Sequence, residues 1–181
     1  MRLIALVGLC GSGKSEAAQH LLKKGYHYIR FGQVTIDDLN RRGLPINENN
    51  ERAVRESLRN KYGKTAYAKL NLPKIEAACG DVVIDGLYSW EEYLLLKQKF
   101  GTGLVLICTF AGKDIRHKRL SARAERPLSG EEMDSRDAAE IEKLNKAGPI
   151  AVADYMIVNN GSVAQLHKQL DRILGEINEP G

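Results

Sequence analysis

The octet Gly8, Leu9, Cys10, Gly11, Ser12, Gly13, Lys14, Ser15 satisfies G-x-x-x-x-G-K-[ST] at every position, and it follows the apolar run LIALV directly. Glycines in such a loop let consecutive N–H groups turn inward around phosphate oxygens. The lysine in the seventh place reaches the β and γ phosphates of a nucleotide, and the hydroxyl in the eighth holds Mg²⁺. A helix beginning there adds the positive end of its dipole. A plain glycine turn between strand and helix would need neither Lys14 nor Ser15. The octet therefore predicts a site for ATP and Mg²⁺. Guanine is not indicated, because NKAG at 145–148 lacks the aspartate of N-K-x-D.

Further residues suit the same chemistry. Asp85 closes the apolar run VVID before Gly86. An acid there would face the metal, directly or through water, with a turn aspartate as the alternative. Arg116, Arg119, Arg123 and Arg126 recur at helical spacing, and residues 113–126 hold six Lys/Arg against two Asp/Glu, a surplus equal to the net charge of +4 for the whole chain. Arginines on a closing flap neutralise the charge spread over a transferring phosphoryl group and exclude water, and Arg136 can join them. The plainer alternative is a solvated basic face. Arg52, Arg55 and Arg59 form a second row that could hold an acceptor phosphate, or could pair with Glu48, Glu51 and Glu56. The four histidines show no ligand spacing and receive no role.

These residues need a scaffold. A chain of 181 residues with 43% hydrophobic and 28% charged residues can bury one core without staples. Five apolar runs, at 3–7, 26–31, 82–85, 104–110 and 155–158, alternate with amphipathic helical patterns. That alternation predicts an α/β three-layer sandwich with a five-stranded parallel sheet in a single domain. The first helix should stop at Gly25, and Ser89 with Glu92, Ser129 with Glu132 and Ser162 with Gln165 mark helix starts. About fifty residues, 32–80, separate the second and third strands and read as a helical acceptor insertion. Pro127 and Gly130 interrupt a helical region, so residues 124–137 read as a small mobile lid. The three cysteines are scattered, no apolar run reaches the length of a membrane span, and no cleavage site follows the first apolar run. The expectation is a cytoplasmic protein with reduced thiols and no membrane partner.

The order of these motifs resembles the nucleoside monophosphate kinase superfamily over nearly the whole chain. It is similar to adenylate kinases and dephospho-coenzyme A kinases, and most of all to small archaeal proteins of adenylate-kinase-like or dephospho-CoA-kinase-like type. RLSAR at 119–123 and Arg136 resemble lid arginines, IDG resembles the third-strand motif, and ADYMIVNNGSVAQLHKQLDRIL at 153–174 resembles the end of dephospho-coenzyme A kinases. The resemblance implies a γ-phosphate role for Arg123 and Arg136 and places residues 159–162, with Asn160 and Gly161, beside the adenine. Two departures concern the acceptor. Tyr88 stands where adenylate kinases carry an arginine after the D-G, and RFGQV replaces the segment that bears the base of dephospho-coenzyme A kinases, leaving Asp37 or Asp38 as substitutes. The expected function is transfer of the γ-phosphoryl group of Mg·ATP to a nucleotide or nucleotide-like acceptor. The expected catalytic set is Lys14, Asp85, Arg123 and Arg136, with Arg119 on the nucleotide, Ser15 and Asp85 on the metal, and Arg52, Arg55, Arg59 and Asp37 on the acceptor. The rival reading is an ATP-binding regulatory protein that engages RNA through the arginine rows; the chain lacks the aromatic and glycine motifs of RNA modules.

Overall fold

The computed structural model describes residues 1–124 and 127–178. Among them, one parallel sheet has five strands in the order β2-β3-β1-β4-β5, built from β1 (Leu3–Val7), β2 (His27–Arg30), β3 (Val82–Asp85), β4 (Leu104–Phe110) and β5 (Tyr155–Val158). Each strand lies where the apolar runs placed it. All five residues of β1 are buried, because a central strand between two helical layers has no solvated face. Leu3, Ala5 and Val7 pack with the helices of the insertion, and Ile4 and Leu6 with α1 (Lys14–Lys23) and α9 (Val163–Asn178) on the other face. Strand order makes β1 and β3 neighbours, with Leu6 paired to Asp85. The octet thus opens at the carboxyl ends of the central strands, where open α/β sheets bind ligands.

Helix ends follow the chemistry of their caps. The chain leaves α1 at Gly25, with φ +93. Ser129 and Glu132 bond reciprocally to open α7 (Gly130–Glu142), and Ser162 and Gln165 do the same before α9. Ser89 accepts the N–H of Glu92 at the start of α5 (Trp90–Phe100), but the Glu92 carboxylate goes elsewhere: Oε1 accepts the Tyr67 N–H and Oε2 that of Tyr88. This buried side chain ties the insertion to the loop after β3. Burial pushes its carboxyl up to about 7, against the hydrogen bonds that favour the anion.

Two stretches differ from the expectation. The insertion, whose helical patterns lie at 51–61 and 65–78, holds a further helix, α2 (Gln33–Arg41), before α3 (Glu48–Tyr62) and α4 (Ala66–Glu76). Between α6 (Lys113–Ser121) and α7 the connection is shorter than the expected lid, since residues 130–137 are the first turns of α7. The reciprocal cap at Ser129 outweighs the helix-breaking tendency of Gly130, which occupies the first helical position, where little is lost. Arg126 lies outside the described residues. A short helix, α8 (Ala147–Ala151), then leads into β5.

Candidate active site

The octet is pinned from three sides. Asn159, at the end of β5, donates from Nδ2 to the Ser12 carbonyl at 2.8 Å, and the Ser12 hydroxyl meets Thr109 Oγ1 of β4 at 2.9 Å. Arg116 of α6 donates to the Cys10 carbonyl at 3.2 Å and holds Asp137 of α7 bidentately at 2.6 and 3.0 Å. Approach is so close that a Cβ on Gly13 would lie 2.2 Å from Asn159 Nδ2, and Gly13 has φ +107. Only glycine fits there. Lys14 Nζ donates to the Gly8 and Leu9 carbonyls at 2.8 and 2.9 Å. Burial, then the nearby Lys146, lower its pKa to about 8, while Glu140, Cys10 and Asp85 oppose the fall.

Asp85 sits under the loop. Its Oδ2 accepts from Ser15 Oγ at 2.9 Å and from Tyr28 Oη at 3.1 Å, and burial followed by this carboxylate pushes the Tyr28 phenol up to about 12. A hydroxyl and a carboxylate so paired are hard oxygen donors, the set that suits Mg²⁺.

One cleft of about 310 Å³ gathers most of the expected residues: Cys10, Gly11, Gly13, Lys14 and Ser15 from the loop, Asp85 beneath, and Arg119, Arg123 and Arg136 from α6, its exit and α7. Asn160 and Gly161 lie in an adjoining depression of about 410 Å³, to which Arg119 is joined by a 3.3 Å bond to the Gly161 carbonyl. The basic face of α6 therefore divides. Arg116 is buried as a strut, while Arg119 and Arg123 face the cleft.

The expected acceptor residues are not brought into this cleft. Arg52 pairs with Glu56, and Arg55 with Glu48 and Glu51, all within α3. Arg59 lies over the Tyr67 ring, 5.3 Å from its centroid. Asp37 is on the exposed side of α2 with Gln33 and Lys74. Asp38 is buried and paired with Arg41 and Arg42. Carboxylates of the same helix take up Arg52 and Arg55, as the spacing of four residues allows, while Arg59 turns to an aromatic ring.

Six other residues line the cleft instead, among them Glu16 and Gly86. Arg30 ends β2 in register with Asp85, and Tyr88 follows β3 with its hydroxyl against Gly32 and Gly86. Glu140 and Lys146 complete the wall, Nζ to Oε2 at 2.6 Å. Burial alone would raise the Glu140 carboxyl, but Lys146 beside it holds it below the usual range, with help from Lys14 and Arg136. Parallel pairing of β2 with β3 would have found Arg30. Nothing local marks Lys146 beyond the lysine in NKAG. The histidines also have partners: His20 bonds Asp171 and His167 bonds Glu16 across α1 and α9, with their rings stacked at 4.0 Å. Among the described residues no group of three or more His, Cys, Asp and Glu could hold a metal ion.

A family model described as an AAA domain matches residues 4–143. The chain belongs to that family. Two relatives match over nearly their whole length: a UPF0200 protein of Thermococcus kodakarensis is 30% identical over 97% of each chain, and one of Pyrobaculum aerophilum 32% identical over 98% of this chain and 99% of its own. In the solved structures, a Thermus thermophilus protein superposes with a TM-score of 0.68 at 19% identity over 98% of both chains. The shikimate kinase of Bacteroides thetaiotaomicron gives 0.62 at 15% identity, covering 98% and 99%, and a gluconokinase of Sinorhizobium meliloti gives 0.61 at 14%, covering 97% and 95%. The fold is that of the P-loop kinases. Among the described residues no helix is long and apolar enough to cross a membrane.

Proposed function

We propose that the protein is an ATP-dependent small-molecule kinase, passing the γ-phosphoryl group of Mg·ATP to a nucleotide or nucleotide-like acceptor. The observation that carries this reading is the convergence of Lys14, the Ser15–Asp85 pair and Arg119, Arg123 and Arg136 on one cleft. A hydrolase needs a positioned water; a kinase needs room for an acceptor, and the same cleft extends to Arg30 and Tyr88 beside Asp85.

Lys14 and the loop N–H groups would hold the β and γ phosphates, and Ser15 and Asp85 would hold Mg²⁺, which neutralises charge on the phosphate oxygens when bound. Arg123 and Arg136 would meet charge that develops on the equatorial oxygens, with Arg123 carried by the short lid between α6 and α7. The acceptor oxygen forms the new P–O bond as the bond from Pγ to the β–γ bridging oxygen breaks and ADP leaves. A phosphate acceptor needs no general base. Arg52, Arg55 and Arg59 would then shape the insertion, while Arg30 and Tyr88 face the acceptor. The free thiols of Cys10, Cys79 and Cys108 suit a cytoplasmic setting.

The test is ADP formation measured across nucleoside monophosphates, nucleosides and dephospho-coenzyme A. Turnover with one of them that is lost in Arg123→Met is the expected result. Mg·ATP binding with no turnover on any would favour a regulatory role.

A further inference from the structure

Lys146 has 1% of its surface exposed, yet it lines the cleft. Burying a lysine with a carboxylate costs desolvation that the pair seldom repays, so a buried ion pair is weak evidence of a stability role. Packing of the chain that leaves α7 would be served as well by two apolar side chains. What the pair adds is a fixed positive charge at one place. Glu140 Oε2 anchors Lys146 Nζ at 2.6 Å, while its other oxygen lies 3.6 Å from Arg136 Nε, so one carboxylate sets the position of two cations. The Tyr88 ring lies beside them, its centroid 5.4 Å from Lys146 Nζ. Tyr88 and Arg30 stand past Asp85, on the far side of the cleft from the adenine-side residues Asn160 and Gly161.

The cleft is lined by Lys14, Arg30, Arg119, Arg123, Arg136 and Lys146 against Glu16, Asp85 and Glu140, a surplus of positive charge. Lys14, Arg119, Arg123 and Arg136 already surround the place of the β and γ phosphates. An ammonium is a compact charge that suits phosphate, whereas planar carboxylates favour the arginine fork. We infer that Lys146 is a substrate-binding residue on the acceptor side, that Glu140 is its positioning residue, and that the acceptor carries a phosphate beside its reacting oxygen. This rests on the kinase reading. Acceptors that are neutral polyols fall outside it, since they bring no charge to this ammonium beyond the one Glu140 supplies.

Adenosine tetraphosphate, which extends one phosphate beyond ATP, probes this position without knowledge of the acceptor. Calorimetry in Mg²⁺ should show the wild-type protein binding it at least about tenfold more tightly than ATP, the effect of one additional charge-assisted contact. In Lys146→Met that ratio should fall towards one, and in Lys146→Arg, which keeps the charge, a preference should persist. A merely structural lysine would move both affinities together and leave the ratio intact. Should Lys146→Met fail to fold, the wild-type crystal complex with adenosine tetraphosphate decides. A terminal phosphate bonded to Lys146 Nζ supports the assignment, and one that touches only Lys14 and the arginines overturns it. If ATP binds and no preference appears in the wild type, the inference fails and the kinase reading stands. If ATP itself does not bind, the kinase reading fails.

Discussion

Replacing Glu92 by glutamine should make the protein less sensitive to alkaline pH. Glu92 is 1% exposed and its carboxyl is pushed from 4.5 up to about 7 by burial. A raised folded pKa means that the folded state holds its proton more tightly than the unfolded chain. The favourable contribution is complete below the unfolded value and is lost as pH rises through about 7. The difference of two to three pKa units corresponds to about 3 kcal/mol in all, of which roughly 2 kcal/mol is lost between pH 5 and pH 8. Glutamine has no such titration. It can accept only one of the two N–H bonds, from Tyr67 or Tyr88, so Glu92→Gln starts with a constant deficit of about 1–3 kcal/mol. Urea unfolding of both proteins at pH 5, 6, 7 and 8 reads the difference directly. The gap should narrow, or reverse, by roughly 2 kcal/mol as pH rises. A gap that is constant across that range, or that widens, refutes the argument.

Other consequences concern the loop and its neighbours. Gly13→Ala should cost about 1–3 kcal/mol in backbone strain and break the Asn159–Ser12 bond, lowering both the melting temperature and ATP affinity. Arg116→Met should lose about 3–5 kcal/mol by stranding Asp137, while Arg123→Met, exposed on the same basic face, should lose less than about 0.5 kcal/mol and act on turnover instead; equal destabilisation in denaturant would contradict the division of that face. With the Lys14 pKa near 8 in the free protein, ATP affinity should fall as pH rises past 8, approaching about tenfold per pH unit, and calorimetry from pH 7 to 9.5 checks it.

The parts legible in the sequence are those whose physics is local. The octet, the five apolar runs and the serine caps each need only a few neighbouring residues to take shape, and the strands fall where they were read. The site beyond the phosphate loop depends on contacts remote in sequence. Glu140 and Lys146 are six residues apart, but what makes them part of the cleft is that α7 and the chain leaving it share its wall with Asp85. Arg30 enters through strand register. Helical spacing put Arg116, Arg119 and Arg123 on one face, yet could not show that Asp137 would take the first of them. In the insertion, helical spacing fits phosphate binding and local ion pairs equally, and the nearby glutamates took Arg52 and Arg55. At 129–132 a cap signal and a break signal overlapped, and the cap prevailed because Gly130 stands at the helix start.

The central claim is that Lys14 and the amides around it form the seat of a nucleotide triphosphate. Calorimetric titration of the wild-type protein and Lys14→Met with ATP, with and without Mg²⁺, tests it most directly. Magnesium-dependent binding in the wild type that weakens at least about a hundredfold in Lys14→Met is the predicted result, as befits loss of a half-buried cation from a phosphate. Equal affinity in the two proteins, or none in the wild type, would contradict it.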